Sequence, residues 1–243
     1  MMEWTKYLWD PEKLEHPSPA SYEIDLTNVC NLNCSFCSSR DARERKPIHA
    51  EFSKVKWIIH DAIEKNIGVS FTGGGEPTLY PQFSDAIKEA LPCVGLGFVS
   101  NGTNPDKIHE YLEITKDHKN SWVRLSLNDR PINDGLRKLF ADYPGRIGIS
   151  IVAEDIARIY PAEELIPLAK LVRKKVPNSI VPVKMTPQEC VGRKFVKVWE
   201  PDGTIAWCCQ ARGMKSSPPK HCIEGCRWVV VDLKKAWEAN PFT

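Results

Sequence analysis

Short apolar runs alternate with amphipathic stretches from about residue 20 to about residue 186. Runs rich in β-branched and aromatic residues predict strands at 21–27, 67–72, 94–100, 121–127, 146–153 and 179–185. Helical spacing of apolar residues predicts helices at 52–66, at 83–91, after Asn104-Pro105, at about 133–141 and at about 162–175. This regular alternation predicts an α/β fold in which helical crossovers connect the strands of a parallel sheet.

Six strand–helix repeats are too few for the usual eight-fold closed barrel, so we expect a partial barrel or an open sheet. In both architectures, the chemistry lies where strands end and loops begin. The candidate loops are therefore those that follow Thr27, Thr72, Ser100, Leu127 and Ala153.

After Met185 the pattern changes, and we divide the chain into an N-terminal extension (1–19), a barrel (20–186) and a cysteine-rich segment (187–243). In the last segment, the turn sequence EPDGT separates the alternating runs FVKVW and TIAWC, which predicts a β-hairpin. The segment is too short to form a stable hydrophobic core by itself, so we expect a bound metal to stabilise it.

Composition and charge narrow the classes of partner. The 243 residues are 42% hydrophobic and carry a formal charge of +2, which favours neither a nucleic acid nor a membrane as partner. The N-terminus lacks the pattern of a signal peptide, and no apolar run is long enough to cross a bilayer, so we predict a cytoplasmic protein. Thiols stay reduced there, and the nine cysteines are better interpreted as metal ligands or reactive groups than as disulfides.

The sequence CNLNCSFC places Cys30, Cys34 and Cys37 on the loop after the first strand. Three thiolates suit an iron–sulfur cluster with one open iron. They also suit a structural zinc site if His49 or a distant cysteine supplies the fourth ligand. The spacing alone leaves both alternatives open.

The loop after the second strand reads FTGGGEPTL, and its glycines allow the backbone to approach a ligand closely. Glu76 adds a negative charge beside them. Alone, this loop is equally compatible with a tight strand-to-helix connection, and Glu76 with a cap of the following helix.

Together, the Cys-x3-Cys-x2-Cys loop after strand one and the Gly-Gly-Glu-Pro loop after strand two resemble the radical S-adenosylmethionine (SAM) superfamily, over about residues 20–186. The resemblance implies a partial (β/α)6 TIM-like barrel. It implies that Cys30, Cys34 and Cys37 ligate three irons of a 4Fe–4S cluster, and that the fourth iron binds the amino and carboxylate groups of SAM.

The same resemblance implies further contacts to SAM. Phe36 would lie against the adenine, and Gly74, Gly75 and Glu76 would contact the methionine amino group. Ser100 and Asn101 would help to hold SAM, and Ser126 and Asn128 would meet the ribose. For the last two pairs, ordinary polar turns are the alternative.

The cysteine-rich segment resembles the auxiliary-cluster region of the SPASM and twitch subgroups of this superfamily. The matching pattern runs from Cys190 and Gly192 through Asp202-Gly203-x-Ile205-x-x-Cys208 to a final cysteine pair. The resemblance implies a small twitch-like β-hairpin domain with a second 4Fe–4S cluster, whose ligands would be Cys190, Cys208, Cys222 and Cys226. A zinc-stapled hairpin is the alternative, because four cysteines also satisfy tetrahedral zinc.

The resemblance implies that SAM is cleaved reductively to a 5′-deoxyadenosyl radical, which removes a hydrogen from the substrate. In a radical SAM oxidoreductase, the auxiliary cluster would accept the second electron. In an epimerase, a cysteine such as Cys209 or Cys93 would return a hydrogen atom, although a buried apolar thiol is the default interpretation of both. A non-enzymatic zinc or iron–sulfur binding module is the third hypothesis.

The resemblance implies a reductant such as flavodoxin or ferredoxin, and a small molecule or a peptide as substrate. Peptide-modifying members often carry a leader-binding domain before the barrel. Only about 20 residues precede the first predicted strand, so we expect no such domain here, which favours a small molecule.

Overall fold

The fold is a seven-stranded, wholly parallel sheet flanked by helices. The computed structural model describes residues 21–34, 37, 39, 46–127, 132–144, 146–152, 171–175 and 196–206. The strands are Ser21–Ile24 (β1), Gly68–Phe71 (β2), Leu96–Ser100 (β3), Ser121–Ser126 (β4), Ile147–Val152 (β5), Leu171–Lys175 (β6) and Val196–Trp199 (β7). The described α-helices are Phe52–Glu64 (α1), Phe83–Glu89 (α2), Pro105–Ile114 (α3) and Asp134–Asp142 (α4).

The strand order is β6-β5-β4-β3-β2-β1-β7, and every neighbouring pair is parallel. From β1 to β6 the order in space follows the order in the chain, as in a barrel wound in one direction. Among the described strands, β6 pairs only with β5 and β7 only with β1, so the sheet is open. The predicted α/β fold with a parallel, partial barrel is confirmed.

One element differs from the prediction. The end of the helix predicted at about 162–175 is the strand β6, which pairs with β5 in the register Gly148↔Leu171 through Val152↔Lys175. The pairing partner supplied by the fold outweighs the local helical pattern of the segment, because strand preference depends on the neighbouring strand more than on sequence. The strand predicted at 179–185 lies outside the described residues.

The core lies between the sheet and its helices. Tyr22 and Ile24 of β1 and Leu26 just after it are buried in this core. The Tyr22 hydroxyl donates to Asp61 Oδ2 of α1 at 2.7 Å. In β3, the ring of Phe98 packs against Phe83 of α2, with centroids 5.0 Å apart. Alternate strand positions therefore face the helices, and the residues between them face the opposite side of the sheet.

The helix boundaries follow local capping chemistry. The helix α3 begins at Pro105, and its N-cap Asn104 accepts a hydrogen bond from the Lys107 backbone N–H at 3.3 Å. Proline suits this first turn because its missing N–H has no partner within the helix. No described helix is long and apolar enough to cross a membrane.

The predicted hairpin is confirmed over its described part. Gly203 has φ +80° at the turn, Glu200 N–H donates to the Thr204 carbonyl at 2.8 Å, and Ala206 N–H donates to the Val198 carbonyl at 3.0 Å. Its first strand, β7, also adds to the main sheet beside β1, which the sequence pattern does not predict. The division between barrel and cysteine-rich segment stays a prediction.

Candidate active site

The cysteine loop (residues 28–48) leaves β1 and returns to it, so that both of its ends are fixed. Thr27 and His49 form an antiparallel bridge. The backbones of Asn28 and Ile48 bond at 3.1 Å, and the Asn28 side chain accepts from Ile48 N–H at 2.7 Å. These bonds hold the loop at the carboxyl edge of the sheet, where the active sites of parallel α/β folds lie.

The three predicted cluster ligands are partly exposed in this loop, and none is in a disulfide. The Cys37 backbone N–H donates to the Cys34 carbonyl at 3.2 Å, which closes a turn between the last two cysteines. Among the described residues, no three histidine, cysteine or acidic side chains converge on one point as ligands of a single metal ion. Three thiolate donors on one loop fit an iron–sulfur cluster, in which each thiolate would bind a different iron.

The glycine loop (residues 73–76) packs directly onto the base of the cysteine loop. Gly74 has φ +83°, and a Cβ there would lie 3.0 Å from the Thr27 carbonyl oxygen. A Cβ on Gly75 would lie 2.0 Å from the Val29 carbonyl oxygen, and the next amide, Glu76 N–H, donates to that oxygen at 2.8 Å. Glycine is required at both positions because the backbone of one loop lies against the backbone of the other.

The Glu76 carboxylate joins the glycine loop to the end of β3. It is buried, with 2% of its surface exposed. Its Oε1 accepts from Ser100 Oγ at 2.8 Å and from the Thr78 hydroxyl and backbone N–H at 2.9 and 3.3 Å. Its Oε2 accepts from the Asn101 backbone N–H at 2.7 Å.

Burial raises the pKa of Glu76 above its ordinary value, and the hydrogen bonds from Asn101, Ser100 and Thr78 oppose that rise. With donors at both oxygens, the carboxylate holds the glycine loop in fixed relation to Ser100 and Asn101 at the end of β3. The contact of Glu76 with the SAM amino group stays a prediction.

Glutamine at position 76 is expected to lower the free energy of unfolding by about 1–3 kcal/mol, because a buried donor loses its acceptor. One carboxylate oxygen of Glu76 accepts from the Thr78 backbone N–H, and the other accepts from the Asn101 backbone N–H. In either orientation of the glutamine side chain, its NH2 group therefore faces one of these N–H donors, and that donor loses its acceptor. Urea titration measures the change. Glu89→Gln, which removes only the exposed ion pair with His60, is the matched control and is expected to change stability by less than about 1 kcal/mol. Equal losses in both variants would contradict this interpretation of Glu76.

The third loop (residues 100–103) lies beside the cysteines. Asn101 Nδ2 donates to Asn31 Oδ1 at 2.9 Å and to Cys30 Sγ at 3.9 Å. Gly102 has φ +77°, and its N–H donates to Ser100 Oγ at 3.0 Å. The cysteine loop, the glycine loop and this loop therefore form one hydrogen-bonded group at the carboxyl edge.

Polar side chains extend from these loops along the sheet face that points away from the helices. Asp25 is 1% exposed there and accepts from Thr72 Oγ1 at 3.4 Å. Arg124 and the predicted ribose contact Ser126 alternate with the buried Val123 and Leu125 on β4, so they lie on the same polar face. The polar face adjoins the glycine loop, because a Cβ on Gly74 would lie 3.1 Å from Asp25 Oδ2.

Other predicted residues lie elsewhere. Cys93 is 3% exposed within the core, and it precedes the amino end of β3, opposite the cysteine loop. Its position in the core, away from the cysteine loop, supports a packing role rather than hydrogen donation. Burial also raises the pKa of its thiol to about 12. The predicted site residues Phe36, Asn128, Cys190, Cys208, Cys209, Cys222 and Cys226 lie outside the described residues.

Sequence reasoning missed Asp25, Asn31, Thr78 and Thr103 as parts of the site. Asp25 lies inside the predicted strand 21–27, between Ile24 and Leu26, and a carboxylate at that position is a usable signal. Asn31 lies inside the cysteine motif, and Thr103 lies in the SNGT segment. Asp25 bonds to Thr72, 47 residues away, and Asn31 bonds to residues 70 and 72 positions away, so no local pattern reveals these contacts. Thr78 and Thr103 bond to Glu76 and Asn101 within their own loops, but the sequence does not show that those loops meet.

Comparison with protein families identifies the chain. Residues 24–187, which include all three loops, match the family model described as the radical SAM superfamily. The chain belongs to the radical SAM superfamily. This confirms the resemblance, and membership implies a 4Fe–4S cluster and SAM as cofactors.

A curated relative in the radical SAM superfamily is the sporulation killing factor maturation protein SkfB of Bacillus subtilis. It is 29% identical over 153 residues, which are 60% of this chain and 35% of SkfB. The chain therefore spans about a third of the length of this relative.

Two solved structures share the fold. Streptococcus suis SuiB bound to precursor peptide SuiA matches with a TM-score of 0.58 at 16% identity, over 98% of this chain and 69% of SuiB. BtrN in complex with AdoMet and 2-DOIA matches with a TM-score of 0.55 at 11% identity, over 86% of this chain and 83% of BtrN. These likenesses support the radical SAM barrel as the fold of this chain.

Proposed function

We propose that this radical SAM enzyme uses Cys30, Cys34 and Cys37 to hold the SAM-binding cluster and oxidises its substrate by hydrogen abstraction. The observation that carries the proposal is the direct bonding of the three loops. Glu76 N–H donates to the Val29 carbonyl, next to Cys30, and the Glu76 carboxylate accepts from the Asn101 backbone. The thiols, the glycine backbone and the polar end of β3 are thereby held at one edge of the sheet.

The protein residues bind and orient the reactants. Gly74 and Gly75 are proposed to offer their backbone carbonyl groups as acceptors to the cationic amine of SAM. Ser100, Asn101 and Ser126 present polar groups at the ends of β3 and β4, and Phe36 and Asn128 are proposed to contact adenine and ribose. When bound, the cluster supplies the electron that cleaves SAM and so generates the 5′-deoxyadenosyl radical that abstracts a substrate hydrogen.

The cysteine-rich segment is proposed to hold an auxiliary 4Fe–4S cluster through Cys190, Cys208, Cys222 and Cys226. The described part of the hairpin supports this assignment, because it extends to Ala206, two residues before Cys208 in the sequence. Its first strand lies beside β1, which leads into the cysteine loop. An acceptor near the barrel would take the second electron and make the net reaction an oxidation.

Small molecules and peptides both remain in the proposed substrate class. SuiB was solved with a precursor peptide and BtrN with 2-DOIA, so the shared fold accommodates both kinds of ligand. Asp25, Arg124 and Ser126 on the polar face favour a substrate that carries hydrogen-bonding groups.

An anaerobic incubation with SAM, dithionite and candidate substrates in heavy water tests the proposed outcome. Oxidation predicts a product that is lighter by two hydrogens and free of solvent deuterium. Deuterium at one carbon without net oxidation would contradict oxidation and indicate an epimerase, in which case Cys209→Ala should abolish the exchange. Iron analysis of the same preparation is expected to give about eight atoms per chain, as two 4Fe–4S clusters require.

A further inference from the structure

Three side chains form a closed hydrogen-bonded ring between the cysteine loop and the loop after β3. Asn101 Nδ2 donates to Asn31 Oδ1 at 2.9 Å, Asn31 Nδ2 donates to Thr103 Oγ1 at 2.9 Å, and the Thr103 hydroxyl donates to Asn101 Oδ1 at 2.6 Å. Every member donates once and accepts once within the ring, so the ring fixes the relative orientation of all three.

The ring leaves the Asn101 amide one orientation. The Thr103 backbone N–H points at Asn101 Oδ1 at 2.9 Å, and a backbone N–H can only donate. The oxygen must therefore face Thr103, and the NH2 group must face the cysteine loop. One of its hydrogens serves Asn31, and the other is directed at Cys30 Sγ, 3.9 Å away.

The backbone of Asn101 is also held. Its N–H donates to Glu76 Oε2 at 2.7 Å, and the Glu76 carboxylate is buried. Ser100 Oγ donates to the other oxygen of that carboxylate at 2.8 Å. Asn101, whose side-chain amide faces Cys30, is therefore also bonded through its backbone to Glu76 of the glycine loop.

We propose that Asn101 is a positioning residue that orients Cys30 and raises the reduction potential of the SAM-binding cluster through its N–H toward the sulfur. This inference rests on the proposed function, since it requires a cluster at Cys30. Hydrogen bonds to cluster sulfurs stabilise the more negative, reduced state and so raise the potential. Asn31 and Thr103 act through Asn101 by fixing the direction of its N–H.

Two substitutions separate the donor from the rest of the ring. Asn101→Ala removes the N–H and the oxygen together. Asn101→Asp keeps an acceptor for Thr103 but directs a carboxylate oxygen at the Cys30 thiolate, so charge repulsion adds to the loss of the donor. Both variants are expected to shift the midpoint potential of the SAM-binding cluster to more negative values, with the larger shift in Asn101→Asp.

The measurement is a redox titration of the cluster-loaded protein. Its readout is the electron paramagnetic resonance signal of the SAM-binding cluster, which is the signal whose shape changes when SAM is added. Thr103→Val leaves Asn101 in place but removes the hydroxyl that orients its amide, and it is expected to give a smaller shift in the same direction. The matched control is Asn120→Asp, because Asn120 donates to the Val94 carbonyl at 3.0 Å near the amino end of β4. Its potential should equal that of the wild type.

The outcomes distinguish this inference from the proposed function. Unchanged midpoint potentials in Asn101→Ala, Asn101→Asp and Thr103→Val, with a SAM-sensitive signal present in the wild type, would overturn the role of Asn101 alone. A cluster-loaded wild type whose signal does not respond to SAM would overturn the proposed function, and this inference with it.

Discussion

Alanine at Cys30, Cys34 or Cys37 is expected to reduce the formation of 5′-deoxyadenosine from SAM to the level of a protein-free control. Each thiolate would ligate a different iron, so the loss of one removes a ligand that the other two cannot replace. The structure supports this expectation, because the three cysteines lie on a single loop whose two ends are bonded together at Thr27–His49. Chromatography of anaerobic reactions with dithionite measures the product.

Cys93→Ala is the matched control for this prediction. Cys93 is buried in the core at the opposite end of the sheet, so its loss removes a thiol without touching the cysteine loop. This variant is expected to form 5′-deoxyadenosine at a rate near that of the wild type. Wild-type rates in any one of the three loop variants would contradict the ligand assignment.

Alanine at position 75, in place of glycine, is expected to lower the free energy of unfolding by about 1–3 kcal/mol, which is the usual effect of overpacking. The added Cβ would lie 2.0 Å from the carbonyl oxygen and 2.6 Å from the carbonyl carbon of Val29. These are backbone atoms, so no change of rotamer relieves the contact and the two loops must separate. Because Val29 precedes Cys30, we also expect SAM cleavage to fall.

Denaturant titration and the 5′-deoxyadenosine assay measure both effects on the same preparation. Gly135→Ala is the matched control, because its added Cβ would meet side-chain atoms and no backbone, those of Pro105 at 3.0 Å and of Asn133 at 3.3 Å. Alanine also favours the helix α4. The stability of this variant should change little. A Gly75→Ala protein as stable and as active as Gly135→Ala would contradict the close packing of the two loops.

The sequence predicts most of the fold because its signals are local. In α1, the buried residues Val55, Ile58, Ile59 and Ala62 follow the helical spacing, and Asn104-Pro105 marks the start of α3. The segment 171–175 is a strand because β5 pairs with it, which no local pattern records. The pairing of β7 with β1 joins residues far apart in the chain and was missed for the same reason.

The sequence likewise predicts only the local parts of the candidate site. Residue types and spacing locate the cysteine and glycine loops, since each motif is contained in a short segment. The partners of Glu76 lie at the end of another strand, 24 and 25 residues away for Ser100 and Asn101. The ring between Asn31 and Asn101 joins residues 70 positions apart. Such contacts depend on the folded arrangement of the strands, so only the structure reveals them.

The central claim is that the three cysteines of one loop hold the cluster at which this chain cleaves SAM. Its most direct test is the amount of 5′-deoxyadenosine formed under anaerobic conditions by iron-loaded protein with SAM and dithionite. We predict that the wild type forms it and that the triple variant Cys30→Ala, Cys34→Ala, Cys37→Ala forms none above the protein-free control. No product from the iron-loaded wild type, or equal amounts from the triple variant, would contradict the claim.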